Sequence, residues 1–111
     1  MSRTYTQLLW LLNLLPAGVT LGPTPPAGQL WVVRDVVFDN QSSQAWSQLS
    51  GIRLREVSTD VLLAGVGPAE AYAGKVYSYE LRQALNAGDQ IEVVTEDENW
   101  SLRVTGYIFD V

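Results

Sequence analysis

At 111 residues and 12.3 kDa, with 47% hydrophobic and 17% charged residues, the chain has the size and balance of one folded domain with a single core. Seven Lys and Arg against twelve Asp and Glu leave a net charge of −5 and a pI near 4.4, which argues against a nucleic-acid partner. The absence of Cys removes disulfides and thiolate nucleophiles, and the absence of His removes the commonest general base and transition-metal ligand.

In chain order, the first element is the most apolar. Leu8-Leu9-Trp10-Leu11-Leu12-Asn13-Leu14-Leu15 is closed by Pro16 and Gly18, well short of the roughly 20 apolar residues that a bilayer-spanning helix needs, so no membrane partner is expected. Arg3 in front and Pro16-Ala17-Gly18 behind imitate the layout of a secretory leader. The expectation is that the run stays in the folded chain. On a helical wheel its leucines spread around the whole circumference, which speaks against a surface amphipathic helix. An extended segment with two apolar faces needs cover on both, from its own domain on one side and from another chain on the other. An inner strand of an ordinary monomer meets the same need. Residues 1–15 are thus read as an apolar assembly arm or strand.

Beyond Pro16, prolines and glycines cut the chain into short pieces rich in Val, Ile, Thr, Tyr and Trp, residues that suit a pleated, half-buried surface. Strands are predicted at about 5–13, 18–22, 29–39, 51–57, 60–65, 74–82, 90–95 and 100–110. Their number and spacing predict an all-β fold over residues 1–111, a single jelly-roll-like β-sandwich of about eight antiparallel strands.

The 29–39 stretch is apolar on both faces, interrupted by Arg34 on one and Asp35 on the other, and reads as a central strand. Both charges are expected to be paired, to lie near an interface, or to snorkel to solvent. Residues 39–50 are polar and read as a loop or weak edge, in which Trp46 either packs onto the sandwich or faces a partner. In 75–81, Tyr77, Tyr79 and Leu81 form the core face. Asn86-Ala87-Gly88-Asp89 supplies a tight turn with Gly88 at positive φ. Ile91 and Val93, then Trp100, Leu102, Val104 and Ile108, alternate with polar residues on either side of Glu96-Asp97-Glu98-Asn99, which reads as a carboxyl-terminal hairpin.

The chemistry on offer is thin. Glu96-Asp97-Glu98 lacks the ligand spacing of a calcium loop and reads as a solvated tip. No carboxylate pair is singled out for glycosidase work, and Ser or Thr nucleophiles lack a basic partner beyond Lys75. Cupin-type metal centres lean on clustered His and are excluded, although their bare scaffold is not. No enzyme activity, metal or cofactor is expected. Exposed aromatics at Trp46 and Tyr72 would serve as stacking platforms for a host surface glycan, whereas alternation assigns Trp100 to the core.

Pro26-Ala27-Gly28-Gln29-Leu30-Trp31-Val32-Val33-Arg34-Asp35, then Leu85-Asn86-Ala87-Gly88-Asp89-Gln90-Ile91, then Trp100-Ser101-Leu102-Arg103-Val104-Thr105-Gly106-Tyr107, resembles in its order small virion proteins of tailed bacteriophages that infect actinobacteria. Those are usually described as minor tail proteins. The likeness runs from about residue 16 to the end, fits the Ser-Arg-Thr-Tyr-Thr-Gln-Leu-Leu start, and is weakest over 40–74. It implies a non-enzymatic β-sandwich subunit located in the virion, in the tail or its tip, with other virion proteins as partners. Similar sandwiches serve as capsid decoration proteins, so a place on the head lattice stays open. A carbohydrate-binding module built on Trp46 and Tyr72 is a third reading. Self-association as a homo-oligomer, taken as a trimer, is expected through Leu8, Leu9, Trp10, Leu11, Leu12, Leu14 and Leu15, together with Trp31 and Val33 of the central strand.

Overall fold

A computed structural model of the protein describes residues 7–41, 51–58, 61–67, 75–95 and 100–111. These form strands β1 (Gln7–Leu12), β2 (Gly18–Leu21), β3 (Gln29–Asn40), β4 (Ile52–Glu56), β5 (Val61–Val66), β6 (Val76–Leu85), β7 (Ile91–Thr95) and β8 (Trp100–Asp110). They build two four-stranded antiparallel sheets, ordered β1-β8-β3-β6 and β2-β7-β4-β5. This is the strand order of a double-sheet jelly roll, in which early strands pair with late ones. The expected all-β sandwich of eight antiparallel strands is the fold, and the expected strand limits lie within a few residues of those found.

The core lies between the sheets and is built by alternation. From β8, Trp100, Leu102 and Val104 point inward and are buried; from β7, Ile91 and Val93; from β4, Ile52 and Leu54. Tyr77, Tyr79 and Leu81 of β6 pack against this core, as their shared face predicts. Trp100 sits at its centre, edge-on to Phe38 with ring centroids 6.3 Å apart and tilted against Tyr77 at 5.9 Å. Such contacts add to area burial because the ring edge is positive and the face negative.

The carboxyl-terminal hairpin is a correction. β7 pairs with β2 and β4 in one sheet, whereas β8 pairs with β1 and β3 in the other, so the chain crosses the sandwich between Thr95 and Trp100. Alternation says which face of each strand is apolar. It is equally satisfied by two strands side by side and by two strands facing each other across a core.

The central strand holds a second correction. β3 does lie between β8 and β6, but Arg34 and Asp35 do not fall on opposite faces. A bulge between Val33 and Asp35 makes Arg34 the extra residue, so Trp31 and Val33 point inward before it and Val36 and Phe38 after it. Both charges therefore lie on the outer side, where they are partnered as expected. Arg34 donates to the Tyr107 hydroxyl and stands 4.0 Å from Asp35, which accepts from the Thr105 hydroxyl at 3.5 Å. Gly106 is opposite the bulge. A Cβ there would come within 1.9 Å of the Val32 carbonyl oxygen, so only glycine lets the strands close. At the 86–89 turn, Gly88 takes φ +89°, as predicted.

Trp31 and Val33, expected at an assembly interface, are interior to the subunit, and so is Leu15. Two-sided apolarity of β3 comes from its central place between neighbouring strands, with Val32 and Val37 half-buried on the outer face.

Candidate functional site

The sandwich has two lateral margins. At one, β1 ends one sheet and β2 ends the other; at the opposite one stand β6 and β5. The β1/β2 margin is the candidate site, because the apolar run at the amino terminus is divided there between core and solvent.

The division follows from strand geometry. Leu8 and Leu11 pair with Thr105 and Arg103 on the outer face, while Trp10 and Leu12 pair with Val104 and Leu102 on the inner face. Leu9 is the extra residue of a bulge between Leu8 and Trp10, and it packs with Trp10 and Leu12 against the core. After β1 the chain turns sharply, since Leu14 takes φ 54°, in the left-handed region that a branched apolar residue rarely adopts. That turn drives Leu15 into the core at 1% exposure and leaves Leu14 outside.

Backbone and polar side chains fix the corner. Leu15 N–H donates to the Trp100 carbonyl at 2.8 Å and Leu14 N–H to Ser101 Oγ at 3.0 Å. Ser101 Oγ–H in turn donates to Asn13 Oδ1 at 2.9 Å, and Gln41 Nε2 reaches Ser101 Oγ at 2.7 Å. Further along, Gly22 N–H donates to the Ile91 carbonyl at 2.8 Å, and its bare Cα lies under the Trp10 ring.

What remains outside is a set of apolar side chains that flanks this margin on the outer faces of the two sheets. Leu8, Leu11 and Leu14, with Val19 and Leu21 of β2, are each between 51% and 62% exposed. Val19 and Leu21 pair with Val94 and Glu92 on the outer face of the second sheet. No Asp, Glu, Lys or Arg occurs from Thr4 to Val33, a charge-free stretch in a chain of net charge −5. Of the residues expected at an interface, the structure thus brings Leu8, Leu11 and Leu14 to the surface. It half-buries Leu9, Trp10 and Leu12 and withdraws Leu15, Trp31 and Val33. Val19 and Leu21 went unrecognised, although their alternation around Thr20 in an uncharged segment is a readable signal. The two proposed glycan platforms, Trp46 and Tyr72, lie outside the described residues.

Two other places carry chemistry. On the outer face of the first sheet, Val32, Arg34, Arg82, Tyr107 and Phe109 line a recess of about 260 Å³. Arg34 stands 5.7 Å from the centre of the Tyr107 ring, and its guanidinium is held above its ordinary pKa, first by the hydrogen bond to Tyr107 and then by the Tyr107, Asp35 and Glu80 charges. On the second sheet, a groove of about 500 Å³ runs between Arg53, Leu62, Gly65 and Val94, flanked by the Arg55–Glu92 ion pair at 3.9 Å. Among the described residues no group of three or more acids is placed to hold a metal ion, and no helix is long and apolar enough to cross a membrane.

No family model and no curated protein matches the sequence. The structure is similar to that of the Drosophila NLP-core, a protein described for its pentamer formation and histone binding, with a TM-score of 0.50. The match covers 98% of this chain and 100% of that one at 10% sequence identity, and is therefore a likeness of fold.

Proposed function

We propose that this chain is a non-enzymatic structural subunit of a tailed-bacteriophage virion, a minor tail protein that works as a homo-oligomer. The observation that carries the reading is the uncharged segment from Thr4 to Val33, in which Leu8, Leu11, Leu14, Val19 and Leu21 stand more than half exposed. A lone domain gains nothing from such exposed side chains, whereas covering the remainder of each contributes roughly 1 kcal/mol. The sequence likeness to minor tail proteins supplies the biological setting. The Drosophila neighbour supports the assembly part, since a sandwich of matching extent forms a pentamer there.

The rest of the surface fits a scaffold rather than a catalyst. Among the described residues, Arg34 engages the Tyr107 hydroxyl and Arg55 pairs with Glu92. The Glu56 carboxylate, 3% exposed, accepts from the backbone N–H and hydroxyl of Ser58.

Purified particles of a phage that encodes this chain test the proposal. Immunogold labelling is expected at the tail, and light scattering of the free protein is expected to give a multiple of 12.3 kDa, the trimer expected from the sequence being one value it can return. Particles that lack the chain would overturn the virion reading. Label on the head would replace the tail with a decoration role.

A further inference from the structure

Edge strands in soluble proteins are kept from pairing by charges, prolines or shortness. Two of the four edges here are guarded in such ways. β2 has four residues and lies between Pro16 and Pro23. β6 exposes Glu80 and Arg82. β5 carries neither charge nor proline but is tied to β6 by the Tyr79 hydroxyl, which donates to the Gly65 carbonyl at 2.9 Å. β1 has no charge and no proline, and its outward positions Leu8 and Leu11 are apolar. Among the described residues it is the last strand of its sheet, so its outer row of backbone N–H and C=O groups faces away from β8.

We infer that β1 is a docking edge that takes the β1 strand of a second copy, antiparallel about a two-fold axis between Leu9 and Trp10. The two four-stranded sheets then join into one of eight strands. Charge selects the occupant. Two copies of net charge −5 repel over most of their surfaces, and the stretch from Thr4 to Val33 is where like meets like without opposing or desolvating a charge. The two-fold register sets Leu8 against Leu11 of the other copy, twice, so the exposed leucines cover each other. The inference rests on the self-assembly part of the proposed function and gives it a two-fold contact in place of a three-fold one.

The chain has no cysteine, so introduced thiols are unique reporters. Leu8→Cys and Leu11→Cys change residues that are half exposed, and each variant is checked for its fold by circular dichroism. Under mild oxidation an equal mixture of the two is expected to form a disulfide dimer. Either variant alone is expected to stay reducible monomer, because like thiols stand three positions off register, roughly 10 Å along the strand, beyond the about 7 Å that a disulfide spans. Val76→Cys, on the exposed face of β6, is expected to cross-link with neither. In the untagged protein, Leu11→Lys is expected to weaken self-association measured by sedimentation about tenfold or more.

Equal cross-linking in all combinations, or none in the mixture, would overturn the pairing. So would a Leu11→Lys variant that associates as the parent does. If the chain is found in particles while the mixture fails to cross-link, only the pairing falls. If the mixture cross-links and the particles lack the chain, the virion reading falls and the docking edge stands.

Discussion

The two margins of the sandwich solve the same problem in opposite ways. At the β5/β6 margin the sheets are joined by the Tyr79–Gly65 hydrogen bond, and β6 presents Glu80 and Arg82 to solvent while Lys75 lies 5.2 Å from the centre of the Tyr77 ring. Val61, Leu62 and Val76 are exposed there too, Val76 beside Lys75 on a strand that carries Glu80 and Arg82, Val61 and Leu62 on the uncharged β5. Along β1 and β2 nothing charged interrupts the apolar residues, although Arg103 lies beside Leu11 and Glu92 beside Leu21 on the next strands, and the left-handed turn at Leu14 holds that leucine outward. The difference teaches that exposed apolar area alone does not single out a surface. What distinguishes the β1/β2 side is the length of its uncharged segment, Thr4 to Val33, with exposed leucines on an edge strand inside it.

The largest break would remove what both margins lean on. Trp100 touches Phe38 and Tyr77 on the β6 side, and its carbonyl accepts the Leu15 N–H on the β1 side. Trp100→Ala is expected to cost about 3–5 kcal/mol in urea unfolding and to loosen both margins together. Hydrogen exchange that quickened at only one of them would contradict this shared dependence.

A smaller change would open the guarded side alone. Tyr79→Phe removes the donor to the Gly65 carbonyl and is expected to cost about 1 kcal/mol. Self-association should be unaffected, so a change in sedimentation with this variant would mean that the β5/β6 margin takes part in assembly.

The smallest expected effect has the opposite sign. Leu14→Asn puts a residue that tolerates the left-handed region where a leucine is now strained, and is expected to stabilise the isolated subunit by about 1 kcal/mol or less. The same change removes an exposed apolar group from the margin and is expected to weaken association. A variant that is less stable and associates as before would show that Leu14 faces outward for no purpose of assembly.

Much of the fold was legible in the sequence because a strand advertises its inner face by period-two alternation. Trp100, Leu102 and Val104, or Tyr77 and Tyr79, could be assigned to the core from their neighbours alone. Partner choice was not legible. Alternation around Ile91 and Val93 and around Trp100 and Leu102 looked like a hairpin, yet the two strands face each other from different sheets. The bulge at Arg34 also escaped, because it depends on the close approach of Gly106 across the sheet rather than on any local turn residue. At the candidate site, Leu8, Leu11 and Leu14 belonged to one apolar run with Leu15, and no pattern along that run separated them.

By itself, then, the order of residues determined an all-β domain without His or Cys chemistry, the inward faces of most strands, the Gly88 turn and a surplus of leucine near the amino terminus. Only the tertiary structure decided which strands lie side by side, that Leu15, Trp31 and Val33 belong to the interior, and that Leu8, Leu11, Leu14, Val19 and Leu21 line one margin. The reason is physical: periodicity is a property of neighbours along the chain, whereas pairing, bulges and burial are set by contacts between segments tens of residues apart, such as β1 with β8 and β3 with β8.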